Sequence, residues 1–276
     1  MKSGIVVTWV ARVAWAAVGV LGWNAIGDEA VARSAGVAAW LLGVAALAVP
    51  SVITLTLARV VVPLGVPALA VAWATGGDAG WSAGALIAAA VALAAVGTAE
   101  LGEQYAQASA YGHERRFPLR PPPAFLVAAG LAWTLAASGL IAGTALMADG
   151  RWAVGAPIAA VGAVVAVFAW PRWHRLSRRW LVVVPAGLVV HDHLVLAETV
   201  MFPRADMAAV ALAPAGTDAA DLTGPAPGHV LEVRLVKSST AILAGSPRQP
   251  RGTAIHLTAC LVAPSRPGRA LAATAP

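Results

Sequence analysis

The chain has 276 residues, of which 59% are hydrophobic and only 12% are charged, with a formal net charge of +6 at pH 7. Soluble domains carry about 25% charged residues, so this composition excludes an ordinary soluble protein and favours a membrane protein. The single cysteine, Cys260, excludes an intramolecular disulfide and a multi-cysteine metal site. In an alternating apolar segment a lone cysteine is typically a small core residue.

Apolar segments fill about the first 170 residues, and a helix needs roughly 20 such residues to cross a bilayer. Arg12 interrupts the first segment and no clear cleavage site follows, so we expect a retained span and not a cleaved signal peptide. Only Pro50 and Ser51 separate the second and third segments, which leaves open whether both are full crossings. The six predicted spans are at about 5–25, 35–51, 53–75, 80–98, 124–147 and 153–171.

Seven arginines in two of the connecting segments predict the orientation, because basic loops stay in the cytoplasm. The alternate loops are poor in basic residues. We therefore expect a plasma-membrane protein with both termini in the cytoplasm. Basic segments next to a span attract anionic lipid headgroups, so we interpret these arginines as membrane anchors and expect no nucleic-acid partner. The predicted anchors are Arg115, Arg116, Arg120, Arg172, Arg175, Arg178 and Arg179.

The third span contains an arginine beside two prolines: Arg59, Pro63 and Pro67. An ionisable residue within a span is a functional candidate, and prolines four residues apart free backbone carbonyls in the bilayer. Broken helices of this kind line substrate sites in transporters. The alternative is a kinked helix whose arginine reaches the headgroups.

The loop between the fourth and fifth spans is the most polar part of the membrane region. Glu100 and Glu103 follow helical spacing, and His113 comes after them. Two carboxylates and an imidazole could form a metal or acid–base site. The alternative is a solvated helix end followed by a lipid anchor.

Gly139 and Gly143 form a GxxxG pattern in the fifth span. Small residues at this spacing permit close approach of two helices. We expect ordinary packing within the chain rather than dimerisation.

After about residue 176 the apolar runs shorten to strand length and are separated by Pro, Gly, Asp and Ser. This pattern predicts an antiparallel β domain. We therefore predict a six-span helical membrane region at 1–176 and a cytoplasmic β-rich domain at 177–276, with a short closing helix at 265–275.

The start of this tail carries a resemblance to a known family. Arg179 and Trp180 open a hydrophobic strand, a second strand follows at 186–190, and a third ends at 200–204 and leads into 206–210. This order resembles the bacterial pleckstrin-homology-like domain. The whole chain resembles small multi-pass bacterial membrane proteins with such a tail and no established function. The resemblance implies contact with a protein or a membrane surface, and not catalysis.

The tail departs from that family at His191-Asp192-His193, where a glycine is common. In a strand the two histidines point to one face and could hold a metal with His229 or His256. Aspartate also suits a hairpin turn, and we favour a solvated turn.

Three functional hypotheses remain. The first is a non-enzymatic, membrane-anchored interaction or scaffold protein that binds a protein partner through its tail. The second is a small-molecule transporter or channel that uses the third span. The third is a membrane enzyme that uses the loop at 100–116. The chain contains no phosphate-binding loop, HExxH or GxSxG motif, so we predict no catalytic residue and no cofactor.

Overall fold

The structure is a computed structural model that describes residues 2–26, 29–245 and 252–275, without the side chain of Lys2. It divides into two compact units. The first comprises Met1–Tyr105 and Ala128–His174, and the second comprises Ala106–Val127 and Arg175–Pro276. The sequence-based boundary at 176/177 differs from this division in two respects: the segment 106–127, expected in the membrane region, belongs to the second unit, and that unit resumes at Arg175 rather than at residue 177.

Among the residues that the structure describes, six helical segments are long and apolar enough to cross a membrane, which supports a multi-pass membrane protein. The third of these, Val52–Ala74, is divided into α3, a short 3₁₀ helix and α4. The helices are α1 (Lys2–Ala25), α2 (Ala30–Ala48), α3 (Val52–Val61), the 3₁₀ helix (Val62–Leu64), α4 (Gly65–Ala74), α5 (Ala79–Gly97), α6 (Ala99–Gln107), α7 (Pro123–Ala148) and α8 (Trp152–Ser177).

The second and third segments are separate because a capping box starts a new helix between them. The Ser51 hydroxyl accepts a hydrogen bond from the Thr54 N–H, and the Thr54 hydroxyl accepts one from the Ser51 N–H. Each bond satisfies a backbone donor that has no partner inside the helix.

Two tryptophans join α1 to α2 in a reciprocal arrangement. Trp15 Nε1 donates to the Trp40 carbonyl, and Trp40 Nε1 donates to the Trp15 carbonyl, both at 3.0 Å. A Cβ on Gly43 would lie 2.3 Å from the Trp15 ring, and one on Gly19 would lie 2.5 Å from the Trp40 ring. The two indoles therefore need glycine on the facing helix.

Glycines also bring α7 and α8 together. A Cβ on Gly139 would lie 2.8 Å from the Gly162 Cα, and one on Gly143 would lie 2.5 Å from the Ala159 nitrogen. The GxxxG pattern therefore packs within the chain, as predicted from the sequence.

The second unit contains two four-stranded sheets with a closing helix, α9 (Pro267–Thr274). The strands are β1 (Arg115–Pro118), β2 (Trp180–Val184), β3 (Gly187–His191), β4 (Val200–Pro203), β5 (Met207–Leu212), β6 (Ala220–Asp221), β7 (Leu231–Leu243) and β8 (Thr253–Val262). The first sheet has the order β1-β2-β3-β4 and the second has the order β5-β7-β8-β6; among these described strands, β6 and β8 alone pair in parallel.

Strand β1 explains why 106–127 belongs to this unit. It pairs antiparallel with β2, with Phe117 opposite Leu181, and both side chains are buried in the core of the unit. Cys260 is fully buried in the same core, as its sequence context predicted. Burial and the nearby Glu232 carboxylate raise the pKa of the Cys260 thiol to about 12, which makes it unreactive.

Candidate functional site

The centre of the His191-Asp192-His193 sequence is a buried ion pair. Arg179 Nε donates to Asp192 Oδ1 at 2.7 Å and Nη2 donates to Oδ2 at 2.6 Å, and both side chains are almost fully excluded from solvent. Arg179 Nη1 donates to the Arg120 carbonyl, and the Leu194 N–H donates to Asp192 Oδ1. The bidentate geometry and the extra bonds satisfy both charges.

This pair changes two sequence-based interpretations. Arg179 is 2% exposed and bound to Asp192, so it does not face lipid headgroups as an anchor would. Asp192 does lie in the turn after β3, as aspartate favours, but it is buried and not solvated. In the part of the chain that the structure describes, no group of three or more His, Cys, Asp or Glu residues could hold a metal ion.

Beside the ion pair, three side chains stack across β1, β2 and β3. Trp180 and His191 are direct partners in the β2–β3 pairing, and their rings stack at 5.1 Å with planes 10° apart. The Arg116 guanidinium lies 5.1 Å from the Trp180 ring centroid, a cation–π contact. Arg116 also pairs with Glu114 at 2.6 Å, so its charge is compensated.

His191 is held in a tightly packed and electropositive environment. Its Nδ1 lies 2.9 Å from the Thr199 hydroxyl, and its ring meets the edge of His193 at 4.4 Å. Its Nε2 is buried and has no hydrogen-bond partner among the described residues. Burial, followed by the positive charges of His193, Arg178 and Arg116, lowers the pKa of His191 to about 4. The ring is therefore neutral at pH 7.

A cavity of about 350 Å³ adjoins this group and is lined by Arg175, Arg178 and His193. All three side chains are exposed. The two guanidiniums form no ion pair or side-chain hydrogen bond with another residue in the described ranges. Of the predicted anchors, Arg175 and Arg178 thus keep their charges available.

The remaining predicted anchors have local partners. Arg120 donates to the His229 carbonyl through Nη2, and Arg172 donates to the Phe168 carbonyl at 2.7 Å. Arg115 is exposed, with its guanidinium 5.4 Å from the Phe117 ring.

The kink predicted at Pro63 and Pro67 coincides with the 3₁₀ helix. Because Pro63 has no N–H, the Arg59 carbonyl loses its usual donor four residues later. The carbonyl of the following residue, Val60, accepts a hydrogen bond from Trp133 Nε1 at 2.9 Å. The Arg59 side chain makes no hydrogen bond or ion pair within the described chain.

Two polar side chains, those of Arg12 and Tyr105, cap the end of α2. Arg12 donates to the Leu47 and Ala48 carbonyls at 2.8 and 3.0 Å, and Tyr105 donates to the Ala46 carbonyl at 3.1 Å. These carbonyls lie in the last turn, where no helical donor remains. The intramembrane position of Arg12 is thus explained by capping.

The candidate enzymatic group is divided between the two units. Glu100 and Glu103 lie on α6 in the first unit, and His113 is exposed in a loop of the second. The structure therefore adds no observation in favour of an enzymatic site there.

No protein-family model, curated protein or solved structure matches this chain. The resemblance of the tail to a pleckstrin-homology-like domain therefore stays a prediction.

Proposed function

We propose that this protein is a non-enzymatic, membrane-anchored interaction protein that binds a protein partner through an edge of its β domain. The proposal includes the finer predictions from the sequence: a bacterial plasma membrane, both termini in the cytoplasm and a pleckstrin-homology-like tail. Two four-stranded sheets closed by α9 are consistent with that tail. One observation carries the proposed function, namely the unpaired edge at β5.

Strand β5 ends its sheet and pairs with β7 on one side only among the described strands. The Ala213 N–H donates to the Val230 carbonyl, which fixes the hydrogen-bonding phase of the β5–β7 pairing. In an antiparallel pair the bonded positions alternate. The N–H and C=O groups of Val210 and Leu212 therefore point away from β7, where another strand could bond to them.

The strand itself lacks the residues that usually prevent pairing with another chain, although α9 packs against part of the strand. Its sequence, MAAVAL, has no charged residue and no proline, and Leu212 is 51% exposed. Proteins usually protect such edges with Lys, Pro or a covering element. An apolar edge favours an extended segment of a partner, which adds as a further strand through main-chain hydrogen bonds.

The test is site-specific photo-cross-linking in native membranes, with the reactive group at Ala211, which is exposed on β5. Leu212→Pro removes the outward N–H, whereas the matched change Leu212→Ala keeps it and removes only the side chain. We expect a discrete protein adduct that survives Leu212→Ala and is lost in Leu212→Pro. The same reactive group at exposed Glu198, between β3 and β4, serves as a position control.

Equal adducts in the proline and alanine variants, or equal adducts from Ala211 and Glu198, would contradict strand addition at β5. Point variants are preferable to deletion of 177–276. Deletion would leave Phe117 and Leu119, which belong to the same core, without their partners.

A second candidate function, a transporter or channel, is favoured by the Arg59 side chain, which makes no hydrogen bond or ion pair within the described chain, and by the missing N–H of Pro63 four residues later. A cationic side chain in a span suits an anionic solute. Chloride efflux from liposomes that contain the full chain, compared between wild type and Arg59→Gln, tests it. Equal efflux in both, at equal reconstitution, would exclude that site.

A further inference from the structure

The cavity lined by Arg175, Arg178 and His193 concentrates positive charge that the chain itself does not neutralise. Asp192, next to His193 in the chain, is already bound to Arg179, and Glu114 is already bound to Arg116. No ion pair in the described ranges involves Arg175 or Arg178. The cavity therefore offers two available guanidiniums at its wall.

His191, whose ring contacts His193 at the cavity wall, responds to this charge. The positive charge of Arg178 acts on His191 and disfavours its protonation, together with His193 and Arg116. His191 also keeps a buried Nε2 without a hydrogen-bond partner in the described chain. An anion in the cavity would offset these charges. The geometry and the electrostatics thus favour the same kind of ligand.

We propose that Arg175, Arg178 and His193 form a binding site for the phosphate group of an anionic ligand. Guanidinium groups bind phosphate oxygens through paired, charge-assisted hydrogen bonds. A volume of about 350 Å³ is at the small end of the range of ligand pockets and accommodates a phosphate with a short substituent. This site is independent of the partner-binding edge at β5.

The position of Arg175 in its helix favours a membrane lipid as the source of that phosphate. Arg175 lies in the last turns of α8, five residues after Trp170, which corresponds to roughly 7–8 Å along the helix axis. Tryptophans mark the interface of a bilayer, where lipid phosphates lie. An anionic headgroup such as that of phosphatidylglycerol would meet Arg175 at this depth.

The experiment measures the melting temperature of the full-length protein in a neutral detergent. It is titrated in separate arms with dioleoyl-phosphatidylglycerol, dioleoyl-phosphatidylcholine and inorganic phosphate. The variant Arg178→Gln is compared with Arg115→Gln, which removes the same charge from an exposed position of the second unit that does not line the cavity. Arg175→Gln is the second test variant, in case the first alters folding.

We expect phosphatidylglycerol to raise the melting temperature, with little effect from phosphatidylcholine. The half-maximal concentration should rise about tenfold or more in Arg178→Gln and Arg175→Gln, because a charge-assisted bond is lost. In Arg115→Gln it should stay within about twofold. A shift caused by inorganic phosphate alone, and lost in Arg178→Gln, would support the site and assign it to a soluble phosphate ligand.

The proposal is overturned if Arg178→Gln and Arg115→Gln weaken the effect equally, because the arginines would then act only as general surface charge. It is also overturned if neither lipid nor phosphate changes the melting temperature. Neither result depends on cross-linking at β5, so failure of this site and failure of the proposed function are distinguishable.

Discussion

The two compact units satisfy their buried polar groups in different ways. In the helical unit, side-chain donors meet backbone carbonyls at helix ends and breaks, as Trp133 does at Val60 and Arg12 does at Leu47. In the β unit, Arg179 and Asp192 meet each other. The difference follows from the backbone, because helix ends expose carbonyls that a bilayer cannot solvate, whereas paired strands leave few such groups. Single substitutions of these buried polar side chains should therefore reduce the free energy of unfolding most in the β unit.

The largest effect should come from breaking the buried ion pair. Asp192→Ala leaves the Arg179 guanidinium buried without its carboxylate, and we expect the β unit to lose about 3–5 kcal/mol of stability. Hydrogen exchange of the amides of β2 and β3 measures this loss. As a control, Glu198→Ala removes a carboxylate from an exposed position of the same unit and should change exchange little. Equal protection of these amides in Asp192→Ala and in the wild type would show that the ion pair does not stabilise the β unit.

The next effect concerns the packing of helices in the first unit. In Gly43→Ala the added Cβ would lie 2.3 Å from the Trp15 ring, and we expect a loss of about 1–3 kcal/mol. Gly97→Ala is the matched control, because its Cβ would meet no atom within 4 Å. Thermal unfolding of both variants in detergent measures the difference. Similar melting temperatures would show that the Trp15 ring can move away from the added Cβ at little cost in stability.

A third prediction concerns pH and the stack around His191. Its pKa is about 4 in the folded state against 6.5 in the unfolded chain, so protons bind more readily to the unfolded state between these values. The stability that the neutral His191 contributes to the β unit is therefore fully present above pH 6.5, and it is lost as the pH falls towards 4. Because the ring is partly exposed, we expect a loss of about 1–2 kcal/mol.

Unfolding of the β unit at pH 7 and pH 4.5, followed by hydrogen exchange, measures this loss. His191→Gln should reduce the pH dependence, while His113→Gln, at an exposed loop position, should preserve it. An unchanged pH dependence in His191→Gln would assign the effect to other groups.

The smallest effect should come from the indole that bonds at the helix break. Trp133→Phe removes the donor to the Val60 carbonyl, and a hydrogen bond between spans contributes about 0.6 kcal/mol on average. Trp81→Phe, at an indole that is 45% exposed, is the control. Thermal unfolding should rank Trp133→Phe below Trp81→Phe by a small margin. The reverse order would show that the hydrogen bond from Trp133 does not stabilise the break in the helix.

Much of the helical unit could be predicted from sequence, because hydropathy and proline act locally. The six spans, the break near Pro63 and the glycine packing at Gly139 and Gly143 all followed from short segments. Helix boundaries were less accurate: α8 continues to Ser177, because its last turns are polar and lie beyond the apolar run. The capping role of Tyr105 could not be predicted, because its acceptor lies in a helix far away in the chain.

By itself, the sequence determined which parts of the chain form long apolar helices and which form strands. Apolar runs of span length predicted the helices, and short runs separated by turn residues predicted the strands. Only the tertiary structure decided which charges remain available. Of seven arginines expected as anchors, Arg179 is paired with a buried carboxylate, whereas Arg175 and Arg178 line a cavity and form no ion pair with a described residue. It also placed β1 in the β unit through the pairing of Phe117 with Leu181. Both outcomes depend on contacts between residues far apart in the chain, which local composition does not encode.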